Sequence, residues 1–127
     1  MSFKFGKRSL DNIAQCHPDL QKIARELIKE MDVAVICGHR GEKAQNEAFA
    51  KGTSKLRYPK SKHNKTPSLA MDVCPYPINW QARAKFLEMR ERMKKIADRY
   101  DIPVRFISWD LPHIELSAPS VPVKKLT

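Results

Sequence analysis

The sequence predicts an α+β fold: one small domain in which helices pack on a mostly antiparallel sheet. Three observations carry that prediction. Some stretches repeat apolar residues at three-and-four spacing, others are short β-branched runs, and the two kinds alternate along the chain. The interval between the last two strand-like segments is too short for a helical crossover, which makes their pairing antiparallel. A chain of 127 residues buries roughly two-thirds of its unfolded surface, enough for a single core. Without repeats or Gly/Ser linkers, residues 1–116 are expected to form that domain. Residues 117–127, with Pro119, Pro122 and the pair Lys124-Lys125, are expected to form an extended peripheral tail.

Pro18 suits the first turn of a helix, and Leu20, Ile23, Ala24, Leu27, Ile28 and Met31 then fall on one face. Val33-Ala34-Val35-Ile36-Cys37, closed by Gly38, reads as a buried strand. A second helix is expected near Glu42 to Lys51, stopped by Gly52. Residues 53–68 have no sustained apolar period and should form a long loop; in so small a domain such a loop is functional or disordered. Residues 69–74 read as a strand ending at Pro75, and Phe86, Met89, Met93, Ile96, Ala97 and Tyr100 mark a third, long helix. Residues 104–109 form the next expected strand, followed by an Asp110-Leu111-Pro112 turn and a short strand, His113-Ile114-Glu115-Leu116. Strand order within the sheet does not follow from this pattern.

Composition narrows the setting. No apolar run approaches the roughly 20 residues of a membrane span, so no membrane insertion is expected. The first residues are basic, but no apolar segment follows them, and an export signal is not expected. Cys16, Cys37 and Cys74 are odd in number and widely spaced, which suits buried free thiols in a reducing compartment. A net charge of +10 draws the protein to a polyanion: nucleic acid, anionic lipid and cell-wall polymers all qualify.

Ligand-type residues stand at three element boundaries: Ser61-Lys62-His63-Asn64 in the loop, Asp72 in an apolar strand, and Asp110-Leu111-Pro112-His113 at a strand junction. Asp72 is the odd one, because a carboxylate flanked by Ala70, Met71, Val73 and Cys74 needs a partner or a cation. Two imidazoles and a carboxylate can form a three-ligand zinc site with its fourth position open to water. Spacing alone also leaves open a salt-bridged Asp72 with two surface histidines.

The ordered set Gly38-His39-Arg40, Gln45, Gly52-Thr53-Ser54, Ser61-Lys62-His63-Asn64, Ala70-Met71-Asp72-Val73, Pro75-Tyr76-Pro77-Ile78 and Asp110-Leu111-Pro112-His113 resembles one family. It is that of the phage endolysins that are L-alanyl-D-glutamate endopeptidases, within the wider family of zinc D-alanyl-D-alanine carboxypeptidases. The resemblance implies a Hedgehog/DD-peptidase-like version of the predicted fold, with residues 1–116 as the catalytic domain. It further implies Zn2+ held by His63, Asp72 and His113, with Asp110 as the general base. Arg40 would hold a substrate carboxylate or the oxyanion, and Ser61 would touch substrate or orient His63.

Glu115, two residues from His113 on a strand, shares its face and is a candidate partner for its ring. His17 and His39 are left out of the metal set, and Trp80 and Trp109 are expected as core or cleft walls. The implied activity is hydrolysis of the peptidoglycan stem peptide, at the L-Ala–D-Glu bond, by a monomer that acts in host lysis. Made in the bacterial cytoplasm, it would reach the wall through a separate membrane pore. Two alternatives are a D-Ala-D-Ala carboxypeptidase using the same metal set and a basic nucleic-acid-binding module whose loop between Lys51 and Lys65 contacts phosphates. The second leaves Asp72 and the Asp110/His113 pair unexplained, so no nucleic acid is expected as partner.

Overall fold

Helices α1 (Lys7–Ala14) and α2 (Pro18–Leu27) lead into strand β1 (Val33–Cys37) and helix α3 (Glu42–Lys51) in the computed structural model, which describes residues 3–117. A 3-10 turn at Lys62–Asn64 precedes strand β2 (Ala70–Pro75), helix α4 (Arg83–Arg99) and strands β3 (Val104–Ile107) and β4 (Asp110–Leu116). The four strands form one antiparallel sheet in the order β1-β2-β4-β3. The expected tail lies outside the described residues beyond Ser117. Among those residues, no helix is long and apolar enough to cross a membrane.

Period-2 alternation divides the sheet into two faces with different jobs. Met71 and Val73 of β2 and Ile114 and Leu116 of β4 enter the core, where they meet Leu20, Ile23 and Leu27 of α2 and Phe86, Met89, Met93 and Ile96 of α4. The intervening residues turn to the other face. In the β2–β4 register Met71 stands opposite Ile114 and Asp72 opposite His113, so a hydrophobic pair fixes the pairing that places the polar one. A slip of one residue would exchange the two.

The structure departs from expectation at both ends of the sheet. Helix α1 was not anticipated: it is eight residues long, Leu10 is exposed and Ile13 is its one large buried apolar residue, so the segment has too few apolar positions to mark a repeat. Its polar side chains hold it instead. Ser9 Oγ accepts the Val35 N–H at 3.0 Å and Asn12 Nδ2 donates to the Val35 carbonyl at 2.8 Å. Strand β1 is therefore an edge strand, buried at Val33 and Val35 and only partly at Ala34 and Ile36, and α1 covers backbone groups that an open edge would expose. Gly38 permits this contact, since a Cβ there would lie 2.3 Å from the Asn12 carbonyl oxygen. At the other end, Asp110-Leu111-Pro112 is not a turn: β4 begins at Asp110, and the reversal falls on Ser108 and Trp109.

Helix α2 stops at Leu27, with Ile28 as its cap, although Met31 still reaches the core. Helix α3 ends where expected, at Gly52, whose φ of 80° is the left-handed conformation glycine adopts without strain. The long segment after it is tied down at its far end. Ser68 is fully buried, exchanges backbone bonds with Gln15 and His17, and donates its hydroxyl to the Ala70 carbonyl at 2.6 Å.

Candidate active site

Three separate pieces of chain deliver the polar groups to the sheet's second face. Asp72 and His113 arrive by strand register. His63 arrives on the 3-10 turn, which is closed by a reciprocal cap: Ser61 Oγ accepts the His63 N–H, and Asn64 Oδ1 accepts the Ser61 N–H at 3.0 Å. The turn is locked to the segment after β1. The Arg40 N–H donates to the His63 carbonyl at 2.8 Å, and Asn64 Nδ2 donates to the Arg40 carbonyl at 2.9 Å.

His63 Nε2 and His113 Nδ1 each lie 3.3 Å from the same oxygen of Asp72, Oδ1. The remaining nitrogen of each ring is committed. His63 Nδ1 is 2.8 Å from the Gly38 carbonyl, which can only accept, so that nitrogen carries the proton; His113 Nε2 donates to Glu115 Oε1 at 2.8 Å. Both histidines are buried, at 2% and 6% exposure, which removes the surface-histidine alternative. His63 Nε2 and Asp72 Oδ1 are close but not aligned as a hydrogen bond, and both are buried without a hydrogen-bond partner among the described residues. Buried polar atoms left this way are rare and call for a partner, an ion or a water among the candidates. The donor set, two imidazoles oriented from behind by oxygen acceptors plus one carboxylate, suits a zinc-type ion.

Electrostatics reinforce the cluster. Burial opposes charge on His63, but the Asp72 carboxylate beside it outweighs that and raises the imidazole to about 10. Burial likewise opposes charge on Asp72, and the two histidines overcome it, holding the carboxyl well below the usual range. Asp110 is half-buried, and its carboxyl, that of Asp72 and a ring nitrogen of His113 lie within 4.8 Å of one another. Burial first and the Asp72 charge second raise its pKa above the ordinary carboxylate value.

Cys37 corrects a sequence expectation. Cys16 and Cys74 are buried thiols, raised to about 12 by burial, but Cys37 is only half-buried and lies 3.8 Å from His63 Nδ1. With His63 and Asp72 it makes a second compact set of possible ligands. The His63 nitrogen nearest Cys37 is the one already bonded to Gly38, whereas the nitrogen facing Asp72 is uncommitted.

A cleft of about 730 Å³ opens over these groups. Arg40 reaches it with one guanidinium nitrogen 3.5 Å from Asp72 Oδ2 and another donating to Gln45 Oε1 at 3.0 Å. Ser61 lines it as well, and Trp80 and Trp109, both more than half exposed, are walls and not core. His17 and His39 are elsewhere: His17 caps α2 by accepting the Asp19 N–H, and His39 is exposed.

Two positions had gone without an assigned part. Gln45, fully buried, accepts from Arg40 and Asn64 and donates to Ser54 Oγ and the Leu56 carbonyl, so one amide joins α3, Arg40 and the histidine turn. Arg90 of α4 donates to the carbonyls of Ile107, Asp110 and Leu111, clamping the chain around Asp110. Gln45 belongs to the ordered set that carries the resemblance, although its bonding pattern leaves no mark in the sequence, and an arginine on a long charged helix gives no signal that separates Arg90 from its neighbours.

Comparison with known proteins agrees with this architecture. The L-alanyl-D-glutamate peptidase of Escherichia phage T5 is 34% identical over 112 residues, covering 84% of this chain and 80% of that one. The crystal structure of the L-Ala D-Glu endopeptidase ChiX of Serratia marcescens superposes with a TM-score of 0.76 over 90% of each chain; at 23% identity that likeness establishes the fold. The family model described as phage L-alanyl-D-glutamate peptidase matches residues 1–116. A family match across the sheet and every group of the cleft leaves one conclusion: this chain belongs to the phage L-alanyl-D-glutamate peptidase family.

Proposed function

We propose that this protein is a zinc peptidase that cuts the L-Ala–D-Glu bond of the peptidoglycan stem peptide in host lysis. One observation supports the metal most directly: two histidines, each with its outer ring nitrogen already bonded, turn their free nitrogens to one carboxylate oxygen. In this reading His63, Asp72 and His113 hold zinc, and Glu115 and the Gly38 carbonyl fix the two rings. Zinc, when bound, lowers the pKa of water toward about 7 and polarises the scissile carbonyl.

Asp110 accepts the proton of the attacking water on its carboxylate and returns it to the leaving amine. Its partial burial and raised pKa suit a group that must gain and lose a proton in each turnover. Arg40 places a fixed positive charge at the cleft wall, where it holds a substrate carboxylate or the developing oxyanion. Ser61 accepts the His63 N–H, which leaves its own hydrogen free to donate into the cleft. All these groups come from one chain, so the reading calls for no second subunit and no nucleic acid. The protein would meet its substrate after a separate membrane pore releases it from the cytoplasm.

Digestion of purified peptidoglycan, with mass spectrometry of the products and metal analysis of the protein, tests this. The wild type should hold about one zinc per chain and generate new D-Glu amino termini, with L-Ala carboxyl ends. Asp110→Ala should keep zinc and lose turnover, and His63→Ala should lose both. Full activity in His63→Ala would remove the proposed site. Release of D-Ala alone would turn the reading to a carboxypeptidase.

A further inference from the structure

The positive charge of this protein is unevenly placed. Between Glu47 and Asp72 the chain carries Lys51, Lys55, Arg57, Lys60, Lys62 and Lys65 and no acidic residue, so this one segment contributes +6 to a net charge of +10. Folding brings part of it to the cleft: Lys55, Lys60 and Lys62 line it, together with Arg105 of β3. Of the three acidic groups that line the cleft, Asp110 is the general base of the reading above, and the other two are already engaged. Asp72 faces both histidines and Arg40, and Glu115 takes His113 on one oxygen and Lys62 and Arg105 on the other, at 3.4 and 3.8 Å.

Three rim cations therefore keep most of their attraction for an incoming anion. Lys60 is exposed and has no ion pair among the described residues. The Lys55 ammonium sits 4.9 Å from the centre of the Trp109 ring, and Arg105 is 67% exposed and shares its one carboxylate.

The substrate class is asymmetric in charge. At the L-Ala–D-Glu bond the alanine carboxyl is the scissile amide itself, and its amino group is acylated by the glycan arm, so that side is neutral. The peptide continues through the glutamate side chain, which leaves the D-Glu α-carboxyl free, and further carboxylates follow. We propose that Lys55, Lys60 and Arg105 form a carboxylate-reading rim, through which the enzyme prefers stem peptides with a free D-Glu α-carboxyl over those in which it is amidated. This rests on the peptidase reading above. The amide has the same shape as the carboxyl and lacks its charge, so a rim that reads charge discriminates between them and a rim that reads shape does not.

The test is kcat/KM of the zinc-loaded full chain on two synthetic N-acylated stem peptides that differ only in that group. The free acid should be cut about tenfold faster, the scale of one charge-assisted hydrogen bond at a partly exposed site. The ratio should shrink toward one in the double variant Lys60→Ala/Arg105→Ala and at raised ionic strength. Lys95→Ala removes a charge from an exposed position of α4 that does not line the cleft, and it should leave the ratio unchanged. Zinc content and Tm of each variant report an intact site. Equal rates for the two peptides in the wild type, or a ratio that survives the double variant, would overturn the rim. Equal sensitivity of both peptides to salt would instead assign these cations to general attraction for an acidic wall. Failure to cut either peptide with zinc bound would overturn the peptidase reading itself.

Discussion

At the scale of single residues, the cluster depends on groups that touch the three candidate ligands from behind. Glu115 is buried and accepts the His113 Nε2 proton at 2.8 Å, which leaves Nδ1 as the nitrogen turned to Asp72. Removing such a partner lowers metal affinity by about 10–100-fold in comparable sites. Glu115→Ala should therefore bind zinc more weakly by that factor, read by competition with a chromogenic chelator, while the wild-type fold persists by circular dichroism. Unchanged affinity would assign Glu115 to holding Lys62 and Arg105 alone. The Gly38 carbonyl has the matching part for His63 and is a backbone atom, so no side-chain substitution deletes it; its position depends instead on the close approach of α1 to Gly38.

At the scale of elements, α4 contributes more than its apolar face. Arg90 reaches over the β3–β4 reversal and satisfies three carbonyls, with bonds of 2.6 Å to Ile107 and Asp110 and 3.0 Å to Leu111. Arg90→Ala leaves those acceptors without a charged donor, each such bond being worth about 1.5–3 kcal/mol. We expect a lower kcat with zinc content retained and a lower Tm, measured by steady-state kinetics and calorimetry. Arg90→Lys should restore little, because a single ammonium cannot match a planar fork set to three acceptors. A Lys variant with wild-type kcat would place the contribution of Arg90 in charge and not in geometry.

At the scale of the whole molecule, core and site occupy opposite faces of one sheet and share its register. The core is built from α2, α4 and the inward residues of β2 and β4, and none of its members is a candidate ligand. The chain should accordingly fold without metal, unlike small domains that need zinc to form a core. Chelation should lower Tm and leave the transition cooperative. At a free zinc concentration a hundred times Kd the bound ion adds about 2.7 kcal/mol, and differential scanning calorimetry with and without chelator reads that difference. Loss of all cooperative unfolding on chelation would contradict this separation of core and site.

Much of this was legible from the chain alone. The apolar periods located α2 and α4, short apolar runs located strands, and Gly52 marked the end of α3, because those signals are local and lie within a few residues of one another. Asp72 stood out as a carboxylate in an apolar strand, and motif order linked it to His63, Asp110 and His113. What the sequence could not contain was set by contacts between distant segments. Helix α1 is held by Ser9 and Asn12 on the edge of β1, Gln45 and Arg90 act through backbone and side chains elsewhere, and Cys37 lies beside His63 at the site. Asp72 faces His113 because Met71 and Ile114 fix the strand register from the core side, and His63 joins them because a capped turn docks on the segment after β1. Sequence determined which groups were available for chemistry; only the sheet's register and the packing of that turn decided that their free nitrogens and oxygens meet at one point. Side-chain chemistry is a property of each residue, and convergence is a property of the fold.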